Sequence, residues 1–214
     1  KGHVIKYRLP RNIIARMQSL EYARSFLAAR ILLDKINANM IISGAFGLFE
    51  KKTVIAVGGY DNSTMGEDME LVVRLHEFSR MNRKPYKIDF AQDAICWSQT
   101  PEKLSELGKQ RKRWQRGLFQ CMWGHRKMLA NPRYGAVGLL SYIYFLFYEL
   151  LSPFIELFGI LTMVLSVMMD MLNVKFMLVF LACYALYGIL LTLTAYFSRI
   201  YTIDQRVSFR ELIL

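Results

Sequence analysis

The chain has 214 residues, 28 Lys and Arg against 17 Asp and Glu, a formal net charge of +11, and 54% hydrophobic residues. Disordered basic tails are apolar-poor, so disorder is excluded; an ordinary soluble domain holds about 45–50% apolar residues, which this chain exceeds. The two properties separate along the sequence: residues 1–134 hold 24 basic and 12 acidic residues, residues 135–214 only 4 and 5.

Residues 12–36 read as a helix, with Ile13, Met17, Leu20 and Leu27 at helical spacing and Arg16, Glu21, Arg24 and Arg30 between them. Met40–Phe49 is apolar, broken by Gly44 and Gly47, and is expected to form a buried strand or strand-turn. Lys52–Val57 fits one helical turn closed by Gly58-Gly59. Gly66-Glu67-Asp68 opens a helix whose first-turn acids suit the positive end of the helix dipole. Tyr86–Ala91 and Ala94–Trp97 are short strand candidates. Thr100-Pro101-Glu102 reads as a helix start, Thr as N-cap and Pro at the first position, with the helix running to about Leu129.

From Val137 the character changes. Residues 139–169 and 174–197 are nearly uncharged, and about 20 apolar residues suffice to cross a bilayer. Two spans are expected, joined by a hairpin at Asp170–Asn173, the first kinked at Pro153. Arg126, Lys127 and Arg133 precede the first span, and Arg199, Arg206 and Arg210 follow the second. The hairpin carries only Lys175, so both ends are expected in the cytoplasm. Glu149 and Glu156 are seven residues apart and would share one helix face, lining a polar conduit, pairing with a basic partner elsewhere in the longer protein or, for Glu149, sitting at headgroup level. A buried hairpin in a large soluble protein is the alternative, disfavoured by the length of uncharged sequence.

Cys96, Cys121 and Cys183 form no C-x-x-C pair, which supports neither a zinc site nor a disulfide framework. The first forty residues contain no signal-peptide core. The start at Lys1 and the stop at Leu214 inside a helix-like pattern read as part of a longer protein.

Three constellations carry chemistry. Glu67 and Asp68 at a helix start can cap the helix, hold a metal or supply a general base, and capping is the commonest of the three. Gln110, Arg113 and Trp114, at i, i+3 and i+4, put an amide, a guanidinium and an indole on one helix face. A guanidinium suits a diphosphate and an indole suits a sugar ring. Lys109, Lys112 and Arg116 lie on another side, placed for anionic membrane lipids. Ser43-Gly44-Ala45-Phe46-Gly47 allows close backbone approach to a ligand or simply a tight turn. Arg with aromatic interleaving also occurs in nucleic-acid binders, but the adjoining apolar spans argue against that partner.

In order, the chain reads Ser-Gly-Ala-Phe-Gly (43–47), Val-Gly-Gly-Tyr-Asp (57–61), Gly-Glu-Asp (66–68), Gln-x-x-Arg-Trp (110–114), then apolar spans. This resembles the C-terminal half of the family 2 processive glycosyltransferases, the group of cellulose, chitin, hyaluronan and poly-N-acetylglucosamine synthases. Gln18-Ser-Leu-Glu-Tyr22 is similar to the helix that follows their metal-binding region. The resemblance implies an α/β fold, part of a GT-A glycosyltransferase domain, followed by transmembrane helices. Residues 1–134 would be the acceptor-side part with an interfacial helix, 135–199 two transmembrane helices, and 200–214 the cytoplasmic start of a further segment.

It also implies roles. Asp68 would be the general base and Glu67 its partner. Gln110 and Arg113 would bind the donor diphosphate or the acceptor, Arg111 would help with phosphates, Trp114 would carry the acceptor's terminal sugar, and Ser43 and Gly44 would lie at the acceptor-side loop. The implied partners are a nucleotide-sugar donor, a UDP-sugar first, a polysaccharide acceptor and membrane lipids. The implied location is the plasma membrane, multi-pass, and the first product to test is a poly-N-acetylglucosamine. Gly66 replaces the usual Thr, and Ser43 stands where cellulose synthases carry Cys, which disfavours cellulose. The chain holds no Asp-x-Asp. The ligands for Mg2+ or Mn2+ and the donor-binding half are therefore expected upstream, and this chain alone is expected to be inactive. The alternatives are a non-processive lipid glycosyltransferase and a non-catalytic membrane-anchored module whose basic helix binds lipid.

Overall fold

The computed structural model describes residues 11–25, 29–84, 86–91, 94, 96 and 98–203. Eight α-helices follow in order among them: α1 Ile13–Arg24, α2 Arg30–Lys35, α3 Lys51–Ala56, α4 Glu67–Met81, α5 Leu104–Gly124, α6 Tyr142–Tyr144, α7 Ser152–Met168 and α8 Val174–Ile203. Short 3-10 turns at Arg126–Met128 and Pro132–Tyr134 connect α5 to the apolar half.

α4 and α5 form the centre. α4 buries Met69, Leu71, Val72, Val73, Leu75 and His76, so almost its whole circumference is covered. Met69 and Val73 meet Cys121 and Met122 of α5, and the cluster continues through Met128, Tyr134, Val137, Tyr142 and Leu150. The basic half and the start of the apolar half therefore share one core. Ser141 Oγ donates to Ala38 O at 2.6 Å, and Tyr142 Oη donates to Met122 O. α1 is N-capped by Asn12, whose Oδ1 accepts from Ile14 N at 2.8 Å. Arg24 of α1 donates to Gly188 O at 3.2 Å and to Thr192 Oγ1, tying α1 to α8.

Several sequence expectations are corrected. No strand forms among the described residues, so the α/β expectation gives way to a helical arrangement over this stretch. Met40 is buried, but the chain then turns, with Phe46 N donating to Ser43 O at 3.0 Å, and Leu48 is 98% exposed. Tyr86–Ala91 also forms no strand, because the bonds a ladder would use go to side chains. Ile88 N donates to Asn37 Oδ1 at 3.0 Å, Phe90 N to Asp34 Oδ1 at 2.7 Å, and Asn37 Nδ2 to Tyr86 O at 3.0 Å. The Ala94–Trp97 expectation falls partly outside the described residues, and neither Ala94 nor Cys96 is in a strand.

Thr100-Pro101 does not start α5, which begins at Leu104 after Lys103. Instead Pro101 O and Glu102 O accept from Gln18 Nε2 at 2.8 Å and Asn12 Nδ2 at 3.2 Å, so α1 holds this segment outside the helix. α5 ends at Gly124 rather than near Leu129. The helix expected over 12–36 appears as α1 and α2, with residues 26–28 outside the described set.

In the apolar half, α8 contains the one described helix long and apolar enough to cross a bilayer, Val174–Thr194, and none of its side chains is buried. Residues 137–150 and 152–168 reach spanning length only together, and they meet at a 48° bend. Pro153 stands in the first turn of α7, just beyond that bend. π-helical turns at Val137–Ser141 and Phe145–Leu150 flank α6. The break places Glu149 and Glu156 on different helices, so the shared face expected for them does not exist. Glu156 Oε1 accepts from Ser152 Oγ at 3.0 Å instead. Most of the expected 200–214 segment, residues 204–214, lies outside the described residues.

A charge network closes the α4–α5 contact. His125 lies between Glu77, at 2.7 Å, and Glu70, at 3.4 Å. Arg74 pairs with Glu70 at 2.6 Å, Lys127 pairs with Glu77 at 2.5 Å, and Arg74 also donates to Val57 O at 2.5 Å and Gly59 O at 2.7 Å. Burial alone would lower the His125 pKa, but the two glutamates outweigh it and hold it above its ordinary value. Burial alone would raise Glu70 and Glu77, but His125 with Arg74, and Lys127 with His125, hold them low.

His76 is the opposite case. Burial pushes its pKa down to about 4. Its Nε2 faces Asn39 O at 2.8 Å and its Nδ1 faces Tyr86 Oη at 2.7 Å. A carbonyl only accepts, so the proton sits on Nε2 and Tyr86 donates to Nδ1. The signs follow from linkage. The raised His125 contributes stability below its unfolded pKa and loses it as pH rises through the folded value. The depressed glutamates contribute above theirs and lose it as pH falls. His76 contributes above 6.5 and loses it towards about 4. His125→Gln is therefore expected to flatten the alkaline side of a profile of Tm against pH, and His76→Gln the acid side between about 6.5 and 4. Melts across that range check both.

Candidate active site

The site is built where the start of α4 crosses α5. Gln110, Arg113, Trp114 and Gly117 occupy i, i+3, i+4 and i+7 of α5 and form one stripe. Gly117 is the crossing point. A Cβ there would lie 2.6 Å from Gly66 N and 2.8 Å from Gly66 Cα, and one on Gly66 would lie 3.1 Å from the Gly117 backbone. Only two glycines allow backbones this close. Met65 N donates to Gln120 Oε1 at 3.0 Å and secures the same junction. Trp114 is three residues from the crossing, about 4.5 Å along the helix axis, and Asp68 is two residues from it on the other chain segment.

Asp68 faces this junction. Its Oδ2 accepts from Gly44 N at 3.0 Å and its Oδ1 from Met69 N at 2.8 Å. Burial pushes the Cys121 thiol up to about 12, and the carboxylates of Glu70 and Asp68 add to that shift, so Asp68 is within electrostatic reach of α5. The Ser43–Gly44 turn lies over Asp68: a Cβ on Gly44 would come to 3.3 Å from Asp68 Oδ2. The structure thus joins Ser43, Gly44 and Asp68 in one place. Glu67, the first residue of α4, is exposed.

Trp114 is 40% exposed and held from two sides. The Arg111 guanidinium lies over its ring at 4.8 Å, and Tyr22 of α1 meets it at 6.4 Å, tilted by 45°. Arg111 also forks onto Glu21 of α1, with contacts of 2.6 and 2.5 Å. That fork ties α1 to α5. Arg113 is exposed and makes no hydrogen bond or ion pair among the described residues. Gln110 Oε1 is buried without a hydrogen-bond partner among them.

Four contributors went unnoticed as site residues. Gly117 follows Trp114 by three positions, and its place on the stripe was the available signal. Glu21 and Tyr22 stand in the Gln18–Tyr22 stretch that the resemblance marked, but their contacts with Arg111 and Trp114 are distant in sequence and left no local signal. Arg30 of α2 is within electrostatic reach of Asp68 and Glu149: burial lowers its pKa to about 10, and both carboxylates pull against that. Gln115 Nε2 donates to Leu150 O at 2.8 Å at the bend, so α5 is stitched to the apolar half.

The "Glycosyl transferase family group 2" description matches residues 2–203. The chain belongs to the family 2 glycosyltransferases. The family implies the GT-A glycosyltransferase fold, of which the described residues contribute helices and connecting segments. The chain is similar to poly-beta-1,6-N-acetyl-D-glucosamine synthase of Staphylococcus aureus (strain COL), 32% identical over 120 residues, 56% of this chain and 26% of that protein. The corresponding synthase of Staphylococcus epidermidis (strain ATCC 35984) matches at the same 32% over 120 residues and the same shares of both chains. The matched region is thus about a quarter of those relatives' length. No solved structure matches the chain.

Proposed function

We propose that this chain is the acceptor-side and membrane portion of an inverting polysaccharide synthase, with UDP-N-acetylglucosamine as donor. The observation that carries the proposal is the Gly66–Gly117 crossing, which gathers Asp68, the Ser43–Gly44 turn and the Gln110–Trp114 stripe. The poly-N-acetylglucosamine relatives favour that sugar.

In this reading the Asp68 carboxylate takes the proton from an acceptor hydroxyl as its oxygen bonds to C1 of the donor sugar, and the C1–O bond to the diphosphate breaks. A base needs hydrogen-bond reach and a charged form at working pH. Arg113, the exposed guanidinium of the motif, meets the leaving diphosphate. Trp114 supports the terminal sugar. The buried Gln110 Oε1 accepts from a sugar hydroxyl, a role a diphosphate oxygen cannot take because it has no proton to donate. Arg111 acts through Trp114, which it braces with Glu21. Glu67 stands beside the base, and Ser43 and Gly44 border the acceptor.

A divalent ion, Mg2+ or Mn2+, is the expected partner of the donor diphosphate. The described residues do not fit it: they hold no group of three or more His, Cys, Asp or Glu that could bind a metal.

The reading also places α8 across the bilayer and treats residues 137–168 as one bent or re-entrant span, with both ends of the segment cytoplasmic. Exposed apolar side chains all round α7 and α8 suit lipid. Lys109, Lys112 and Arg116 on the exposed side of α5 then face anionic headgroups.

Radiolabelled UDP-sugars supplied one at a time to membranes carrying the full-length protein test the reading. Polymer is expected from UDP-N-acetylglucosamine, and Trp114→Ala is expected to cut its formation by about 5- to 150-fold through loss of about 1–3 kcal/mol of ring stacking, by analogy with bases stacked on aromatics. Absence of polymer from every UDP-sugar sinks it.

A further inference from the structure

At the end of α4 away from Asp68, four cations gather with no acid among them. Asn37, Arg80, Arg83, Lys84, Tyr86 and Arg133 are among the residues lining a cleft of about 640 Å³. None of its lining residues among those described carries a carboxylate. Arg80 is twelve residues from Asp68 along α4, about 18 Å at 1.5 Å per residue, so the cleft is separate from the site above. Some cations of the basic half meet acids: Arg74 with Glu70, Arg111 with Glu21, Lys127 with Glu77, Lys87 with Asp89. Arg80, Arg83, Lys84 and Arg133 have no acidic partner among the described residues. Four like charges around one cleft repel each other, and an anion between them relieves that cost.

The cleft is also preset. Arg80 Nε donates to Tyr86 Oη at 3.1 Å, and the guanidinium lies over the Tyr86 ring at 5.5 Å. Tyr86 Oη is fixed in turn by His76. On its other side the guanidinium rests against Gly135, where a Cβ would approach it to 3.1 Å. The Nη groups make no hydrogen bond among the described residues. A guanidinium held by its Nε and its faces, with both Nη groups unspent, has already lost the freedom that binding would cost. Its fork matches phosphate oxygens bidentately. The Asn37 amide is fixed between Tyr86 O and Ile88 N, so that wall is rigid.

Position narrows the ligand further. Arg133 precedes Val137, where the apolar half begins, by four residues, and Gly135 lies between them. We propose that this cleft binds a phosphate group, carried by an anionic lipid headgroup or by a soluble phosphorylated ligand, apart from the Asp68 site.

Calorimetric titration of the full-length protein in detergent tests this, using dioctanoyl phosphatidylglycerol and inorganic pyrophosphate as probes. Saturating UDP is present throughout, so that a nucleotide site does not report. At least one probe is expected to bind saturably. Arg83→Gln with Arg133→Gln is expected to weaken it by about tenfold or more, as loss of charge-assisted contacts does. The charge-keeping pair Arg83→Lys with Arg133→Lys is expected to retain most of the affinity, and both pairs to keep the wild-type melting curve. Binding of the lipid alone assigns a headgroup, of pyrophosphate alone a soluble ligand, and of both the phosphate itself. Absence of saturable binding by either probe overturns the proposal, as does unchanged affinity in the Gln pair. Lys84→Gln gives an independent check should the Gln pair fold poorly: unchanged affinity there also counts against the cleft. None of these variants touches the proposed reaction residues, so sugar transfer and phosphate binding fail or persist separately.

Discussion

Asp68→Asn in the full-length protein is expected to cut polymer synthesis by about 10²–10⁴-fold, the usual worth of a positioned general base, while binding of the UDP-sugar stays near wild type. The substitution keeps size and shape and removes only the ability to take a proton. The fold should tolerate it, because an amide oxygen still accepts from Gly44 N or Met69 N, which the carboxylate now engages at 3.0 and 2.8 Å. Those bonds orient the group without neutralising it, so a lone pair stays available to an acceptor hydroxyl. The loss should therefore appear in kcat and leave KM little changed, the pattern of an interaction made only in the transition state. Glu67→Gln separates the two acids: Glu67 is exposed at the first position of α4, and its replacement should cost far less. A rate within a few-fold of wild type for Asp68→Asn would move the base elsewhere.

The acids at the start of α4 and the face of α5 were legible in the sequence because helix periodicity is local. Gly66-Glu67-Asp68 announced a helix start, and Gln110, Arg113 and Trp114 fell on one side of α5 without knowledge of any partner. What could not be read was which surfaces meet. A strand is a property of two segments. Tyr86–Ala91 has the right residues, yet its N–H groups go to Asn37 and Asp34. Pro101 has the right signature for a first helical residue, yet Gln18 claims its carbonyl and α5 starts later. Arg111 belongs to a phosphate-like motif, but its fork is committed to Glu21, ninety residues away in sequence. The kink at Pro153 was legible. The sequence did not show that the break would part Glu149 from Glu156, because periodicity carries no sign of the π-helical turn that precedes the bend.

Gly117→Ala and Gly108→Ala are the same chemical change on the same helix and are expected to act with opposite signs. At Gly108 a Cβ meets nothing within 4 Å. Replacement there removes backbone freedom from the unfolded chain and should stabilise α5 by about 0.8–1.0 kcal/mol, the difference in helix propensity. At Gly117 the new atom would sit 2.6 Å from Gly66 N and 2.8 Å from Gly66 Cα. Both are main-chain atoms, so no rotamer change relieves the clash and the helices must part. Overpacking of this kind costs about 1–3 kcal/mol. The functional effect should exceed the thermodynamic one. Moving α4 off α5 carries Asp68 away from the Gln110–Trp114 stripe, and a displacement of about 1 Å in reacting groups can cost 10²-fold in rate. Gly117→Ala should therefore lose polymer synthesis while still folded, with Gly108→Ala active and melting higher. Thermal melts and polymer assays on the two variants in parallel decide it. Equal activity in both would mean that the crossing serves packing alone, and the stripe would then have to work from some other contact with the base.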